Sequence, residues 1–151
     1  MKHFYVFLGA VMLALIMVSC EGAGGYNSSH ALVGQWITPI ETEDDNLLLE
    51  VKEGESTTFL IYTFDKKYLT TKYLYGTYRD GILANAYEDE WCRELNSMSS
   101  GISSPYTYSN GHLENGAISV QIYWVNKDHF YFTAFGVTAH LLRIKEIRYA
   151  Y

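Results

Sequence analysis

Residues 117–125 read Ala117-Ile118-Ser119-Val120-Gln121-Ile122-Tyr123-Trp124-Val125. Ile118, Val120, Ile122 and Trp124 occupy alternate positions, with Ser119, Gln121 and Tyr123 between them. A β-strand turns successive side chains to opposite faces, so this stretch is a half-buried strand with one defined inner face. Asn126-Lys127-Asp128 turns the chain, and His129 to Phe135 follows with Phe130, Phe132 and Ala134 on one face. Ala139 to Ile147 then alternates His140, Leu142 and Ile144 against Leu141, Arg143 and Lys145.

The same pattern extends towards the N-terminus. Leu32–Ile40, Asn46–Val51, Thr57–Phe64, Tyr68–Arg79 and Ile82–Tyr87 are strand candidates, with Pro39 ending the first because it cannot donate to a ladder. Asp80-Gly81, Asn110-Gly111 and Asn115-Gly116 are hairpin dipeptides, since both central positions of a type I′ turn need positive φ. One stretch departs from the pattern. Tyr87, Trp91, Leu95 and Met98 recur at helical spacing, which predicts a short helix before a polar loop over 97–104. Short connections favour antiparallel neighbours in up-and-down order. A small closed barrel and a two-sheet sandwich both fit; we expect an all-β domain over 31–151, an antiparallel up-and-down barrel of about eight strands. A barrel has no edge to expose in so aromatic a chain.

Composition agrees. Of 151 residues, 16% are aromatic, 14 of them Tyr, while charged residues make up 19% and Pro only 2 positions. A disordered chain would be poor in aromatics and rich in charge and Pro. The formal net charge of −6 gives no basic face for nucleic acid.

The N-terminus reads as an address. Lys2 and His3 precede an apolar run from Phe4 to Val18, shorter than the ~20 residues a spanning helix needs. A weakly positive start, an apolar middle and a small residue before Cys20 describe a secretion signal over 1–19. Met17-Val18-Ser19-Cys20 resembles a bacterial lipobox. That resemblance implies cleavage before Cys20, lipid on its sulfur and amine, and a membrane-anchored protein of the bacterial cell envelope. Glu21 after the cysteine fits an outer-membrane destination. Residues 20–30, rich in Gly and Ser, form a flexible tether. Cys92 is then left without an intrachain partner and reads as a buried, inert thiol.

Val33-Gly34-Gln35-Trp36 opens the folded domain. A Gly-x-Trp on the first strand, followed by an antiparallel meander, resembles the lipocalin (calycin) pattern. The resemblance implies that Trp36 closes one end of a barrel, that Arg143 of the last long strand packs across it (Arg148 being second choice), and that ligands enter at the opposite end. A guanidinium over an indole gains ~0.5–2 kcal/mol.

The expected function is to bind a small, partly apolar ligand. Tyr62, Tyr73, Tyr75, Trp124, Phe130 and Phe132 are the candidate lining residues, because an aromatic ring offers an apolar face and Tyr and Trp add a polar handle. The other reading is an envelope interaction module that binds a glycan or partner protein through exposed aromatic residues. No enzyme is expected, since no nucleophile–base, P-loop or dinucleotide motif is present. No cofactor or metal is expected either. Glu41, Glu43, Asp44 and Asp45 lack the spaced acceptors of a calcium loop. His129 and His140 lie on neighbouring predicted strands but have no fixed third ligand.

Overall fold

A computed structural model describes residues 29–41, 47–99, 103–116 and 118–151. The signal segment 1–19, Cys20, the tether to residue 28, and Glu43, Asp44 and Asp45 lie outside the described residues. After a single 3-10 turn (Ser29–Ala31) come β1 (Gly34–Pro39), β2 (Leu48–Leu49), β3 (Ser56–Phe64), β4 (Tyr68–Arg79) and β5 (Ile82–Tyr87). Helix α1 (Glu90–Ser99) follows, then β6 (Ser104–Pro105), β7 (Thr107–Ser109), β8 (His112–Asn115) and β9 (Ile118–Gln121). The chain ends with β10 (Tyr123–Asn126), β11 (His129–Ala134), β12 (Val137–Ile144) and β13 (Glu146–Tyr149). With 62% of the described residues in strands and one short helix among them, the domain is all-β.

The single closed up-and-down barrel is not what forms. One sheet runs β10-β11-β12-β1-β3-β4-β5-β13, with β2 on β12 and β6 on β4, and a second runs β7-β8-β9. The large sheet is mixed, because β2 lies parallel to β12 and β13 parallel to β5. The chain passes from one sheet to the other at Tyr106, between β6 and β7, and at Ile122, between β9 and β10, whose N–H groups donate to Lys67 O at 3.1 Å and Gly111 O at 2.7 Å. Such corners are how strands switch sheets in two-sheet packings. The strand read over 117–125 keeps its alternation, with Val120 and Ile122 buried and Ser119, Gln121 and Tyr123 exposed, but serves two sheets in turn.

The large sheet must roll up. β12 and β13 are joined by Lys145 alone, yet the ladder sets β1, β3, β4 and β5 between them. Laid flat, those spacings would separate the two strands by about 24 Å. A one-residue link spans only about 7 Å. The roll encloses one core of Ile37, Phe59, Ile61, Leu74, Tyr78, Leu83, Ala86 and Ile144. The opposite face of the same strands carries a second core, in which Trp36, Phe64, Leu69, Phe130, Phe132 and Leu141 meet Tyr108, Leu113 and Val120 of the small sheet. Strands β1, β3, β4 and β12 are therefore a wall shared by two cores.

At β4 the wall branches. Its first residues pair with β6 and its last with β5. Between the two branches the backbone of Tyr73 meets a side chain: Tyr73 N–H donates to Asn96 Oδ1 at 2.8 Å, and Asn96 Nδ2 donates to Tyr73 O at 3.0 Å. The Asn96 amide fills a ladder position that no described strand reaches. Asp89 caps α1, its Oδ1 accepting from Cys92 N–H at 2.8 Å. The helix begins later than its spacing suggested, with Tyr87 still in β5. Its inner face is Cys92 and Asn96, while Trp91 and Met98 are exposed.

The Asp80-Gly81 and Asn110-Gly111 pairs adopt positive φ throughout, as their sequence requires. The β11–β12 turn does so with Phe135 at φ 54, an uncommon conformation for a bulky residue, and leaves that ring 92% exposed.

Replacing Asn96 with Ala strands the two backbone groups of Tyr73 at the branch. We expect a loss of about 1–3 kcal/mol in urea unfolding, with Asn96→Asp, which loses the donor, falling in between.

Candidate functional site

Two ends of the second core differ in kind. At the first, Trp36 is fully buried and its Nε1 donates to Leu32 O at 2.8 Å. The Arg143 guanidinium lies over its ring, 4.2 Å from the centroid. Arg143 Nε donates to Asp128 Oδ1 at 3.0 Å and Nη1 to Val33 O at 2.9 Å. Nη2 donates to Ala31 O at 3.1 Å and Lys127 O at 3.0 Å. One planar fork thus ties the entering chain, the β10–β11 turn and β12 together. Gly34 is the reason it fits: a Cβ there would stand 2.8 Å from Arg143 Nη1, and its φ of +128° suits glycine.

The six candidate ligand residues separate here. Trp124 and Phe130 pack on Trp36, with centroids 5.8 and 4.6 Å away, and on each other at 5.2 Å. Trp124 Nε1 donates to the Tyr108 hydroxyl at 2.8 Å. Phe132 is buried in the same core. These three rings fill the space between the sheets around Trp36.

Tyr62, Tyr73 and Tyr75 stand elsewhere. Register sets Trp36 opposite Tyr62, Thr38 opposite Leu60, Leu60 opposite Tyr73 and Thr58 opposite Tyr75. All of them share the Trp36 face, running away from Arg143 towards the far end of β1. All three tyrosines and Leu60 are half-buried. Burial, with help from Tyr73, pushes the Tyr62 hydroxyl up to about 12. Thr38 is only 2% exposed, and among the described residues its Oγ1 has no hydrogen-bond partner. Beside this region Cys92 contacts the Thr58 hydroxyl; burial, then a hydrogen bond to Asp89, holds its thiol up at about 11, so it is protonated at neutral pH. Thr38 and Asn96 carried no motif; the only advance signal was that Thr38 alternates with Ile37 beside Trp36.

Elsewhere, a cleft of about 400 Å³ lies over the Arg143 end, lined by Tyr78, Asp80, Lys127, Asp128 and Lys145 among others, and by none of the six candidates. On the face of β11–β12 turned away from Trp36, His129, which also lines this cleft, brings its Nε2 to 2.8 Å from His140 Nδ1. Tyr131 stacks on His140 at 4.8 Å and Tyr123 on Tyr131 at 5.2 Å. Burial lowers both His pKa values against an opposing pull from Glu50, and His140 further lowers that of His129. No protein-family model, curated protein or solved structure matches this chain.

Arg143→Lys keeps the charge but loses the fork. We expect it to destabilise the domain by about 2–4 kcal/mol in chemical denaturation, with Asp128→Asn costing less.

For Tyr62 the folded pKa lies above the unfolded value of about 10. Its stabilising effect is therefore full below pH ~10 and lost as pH climbs towards 12. Tyr62→Phe is expected to flatten that alkaline loss, read as melting temperature against pH.

Proposed function

We propose that this chain is a lipid-anchored, extracytoplasmic binding protein that takes a small, partly apolar ligand between Tyr62, Tyr73, Tyr75, Leu60 and Thr38. The observation that carries this reading is the Thr38 hydroxyl. A buried hydroxyl without a partner costs about 1–3 kcal/mol, and native proteins keep such groups where something else satisfies them. Thr38 lies on one face with three half-buried tyrosines, so a ligand with an apolar body and one polar group matches the region. The tyrosines supply ring surface and hydroxyls. The Gly34, Trp36 and Arg143 arrangement supports a calycin-like kinship, in which the Arg143 end is structural and ligands use the other end.

The anchor is proposed from Met17-Val18-Ser19-Cys20. Ala31 and Val33 are gripped by Arg143, so a tether from Cys20 would join the domain at that end. The ligand end would then face away from the bilayer of the cell envelope, which we place at the outer membrane. A second reading, an interaction module for a glycan or partner protein, draws on the Tyr123–Tyr131–His140 row, in which Tyr123 is 50% exposed.

The test is titration with a fluorescent apolar probe such as N-phenyl-1-naphthylamine. We expect one saturable site, blocked by Leu60→Trp and weakened by Tyr73→Ala. Thr38→Val is expected to stabilise the free protein by ~1 kcal/mol while weakening ligands that carry a polar group. Binding that ignores Leu60→Trp but disappears with Tyr123→Ala would overturn this reading in favour of the second.

A further inference from the structure

The two histidines lie on the face of β11 and β12 turned away from Trp36, outside the proposed ligand region, and His129 also lines the rim of the cleft over the Arg143 end. Each comes from a different strand, on a diagonal of the ladder: His129 is opposite Leu142, and His140 is opposite Tyr131. Their near nitrogens, Nε2 of His129 and Nδ1 of His140, are 2.8 Å apart. Two imidazole nitrogens, each ~2.0–2.1 Å from one metal ion, stand about 2.9 Å apart at cis positions of a square-planar ion and about 3.3 Å apart on a tetrahedral one. A few tenths of an ångström of ring movement converts the hydrogen-bonded pair into a chelating pair.

We propose that His129 and His140 form a two-nitrogen site for a borderline divalent cation, with copper(II) bound most tightly and nickel(II) and zinc(II) behind it. Imidazole suits these ions, and the order follows the general rise of affinity to copper. The strands fix both Cα positions, and the Tyr131 ring stacked on His140 limits how that imidazole can turn. Parallel pairing of Leu48 with Thr138 and Leu49 with Ala139 sets Glu50 next in line with His140. Its carboxylate adds a field that favours a cation. Among the described residues no group of three His, Cys, Asp or Glu is placed to hold a metal. The remaining positions on the ion would therefore be taken by water or by an added ligand, and both rings are half-exposed, so solvent reaches them.

Proton accounting is simple. In the free pair one ring donates its N–H to the other. On binding, that proton moves to the far nitrogen of the same ring, leaving His129 protonated at Nδ1 and His140 at Nε2. No net proton is released between two neutral imidazoles.

The test is copper(II) binding to the lipidated chain from Cys20 onward in detergent micelles, followed by calorimetry and by electron paramagnetic resonance. We expect one site with a two-nitrogen superhyperfine pattern. Losing a group that only orients a ligand costs 10–100-fold in affinity, so His129→Asn and His140→Asn should each weaken binding by at least about tenfold and remove one nitrogen from the pattern. His112→Asn, whose ring is bonded to Ser119 in another sheet, should leave both readouts unchanged. The proposal fails if the two variants bind copper with wild-type affinity and spectrum. Should either variant not fold, imidazole ¹⁵N spectra of the wild type with zinc(II) decide. Metal-induced shifts at His129 Nε2 and His140 Nδ1 support the site, and shifts at other nitrogens or none overturn it.

Discussion

The guanidinium of Arg143 is the constraint on which the rest of this domain depends. It supplies four hydrogen bonds, three of them to carbonyls of Ala31, Val33 and Lys127 that the sheets leave without ladder partners. It also covers the indole around which the second core is assembled. The two-residue spacing of Gly34 and Trp36 follows from it. Alternate residues of a strand share a face, so one position must be empty to admit the guanidinium and the next on that face must present a ring to receive it.

A wall with cores on both sides needs strands that are apolar at successive positions. β3 has this property, since Phe59 and Ile61 enter one core while Tyr62 and Phe64 pack in the other. The cost of the arrangement appears at β4, where two ladders diverge and a peptide group is left over. A side-chain amide has the same donor and acceptor as a peptide, and Asn96 uses it in that place. The helix carrying Asn96 thus belongs to the architecture of the sheet, although its exposed residues make it look like a surface excursion.

Much of this was legible in the sequence. The bounds of β4 and β5 follow from alternation and from Asp80-Gly81, and the resemblance carried by Gly34-Gln35-Trp36 implied the stacking of Arg143 on Trp36. What alternation does not carry is which strand lies next to which. The expected barrel assumed one inner face, whereas the run Phe59-Leu60-Ile61-Tyr62, apolar at every step, is the pattern of a strand covered on both sides. β7 and β8 are faint in the sequence because Ser, Thr and Asn dilute their few inward residues, Tyr108 and Leu113. Of the candidate lining residues, the structure packs Trp124, Phe130 and Phe132 around Trp36 and leaves Tyr62, Tyr73 and Tyr75 half-buried. Sequence cannot make that division, because an inward ring that fills space and one that borders it alternate identically. Thr38 and Asn96 are types found everywhere, and only position gives them meaning.

The pairing of β1 with β12 also sets a timetable. β1 leaves a ribosome before the other described strands, and its register runs Gln35 to Ile144 and Trp36 to Arg143. Trp36 can be covered by β3 early but must wait until β12 is made before Arg143 arrives. Contacts so distant in sequence slow folding and prolong the exposure of unpaired edges. In such a chain, the interval before the last strand docks is when the aromatic face of β1 is open to other company.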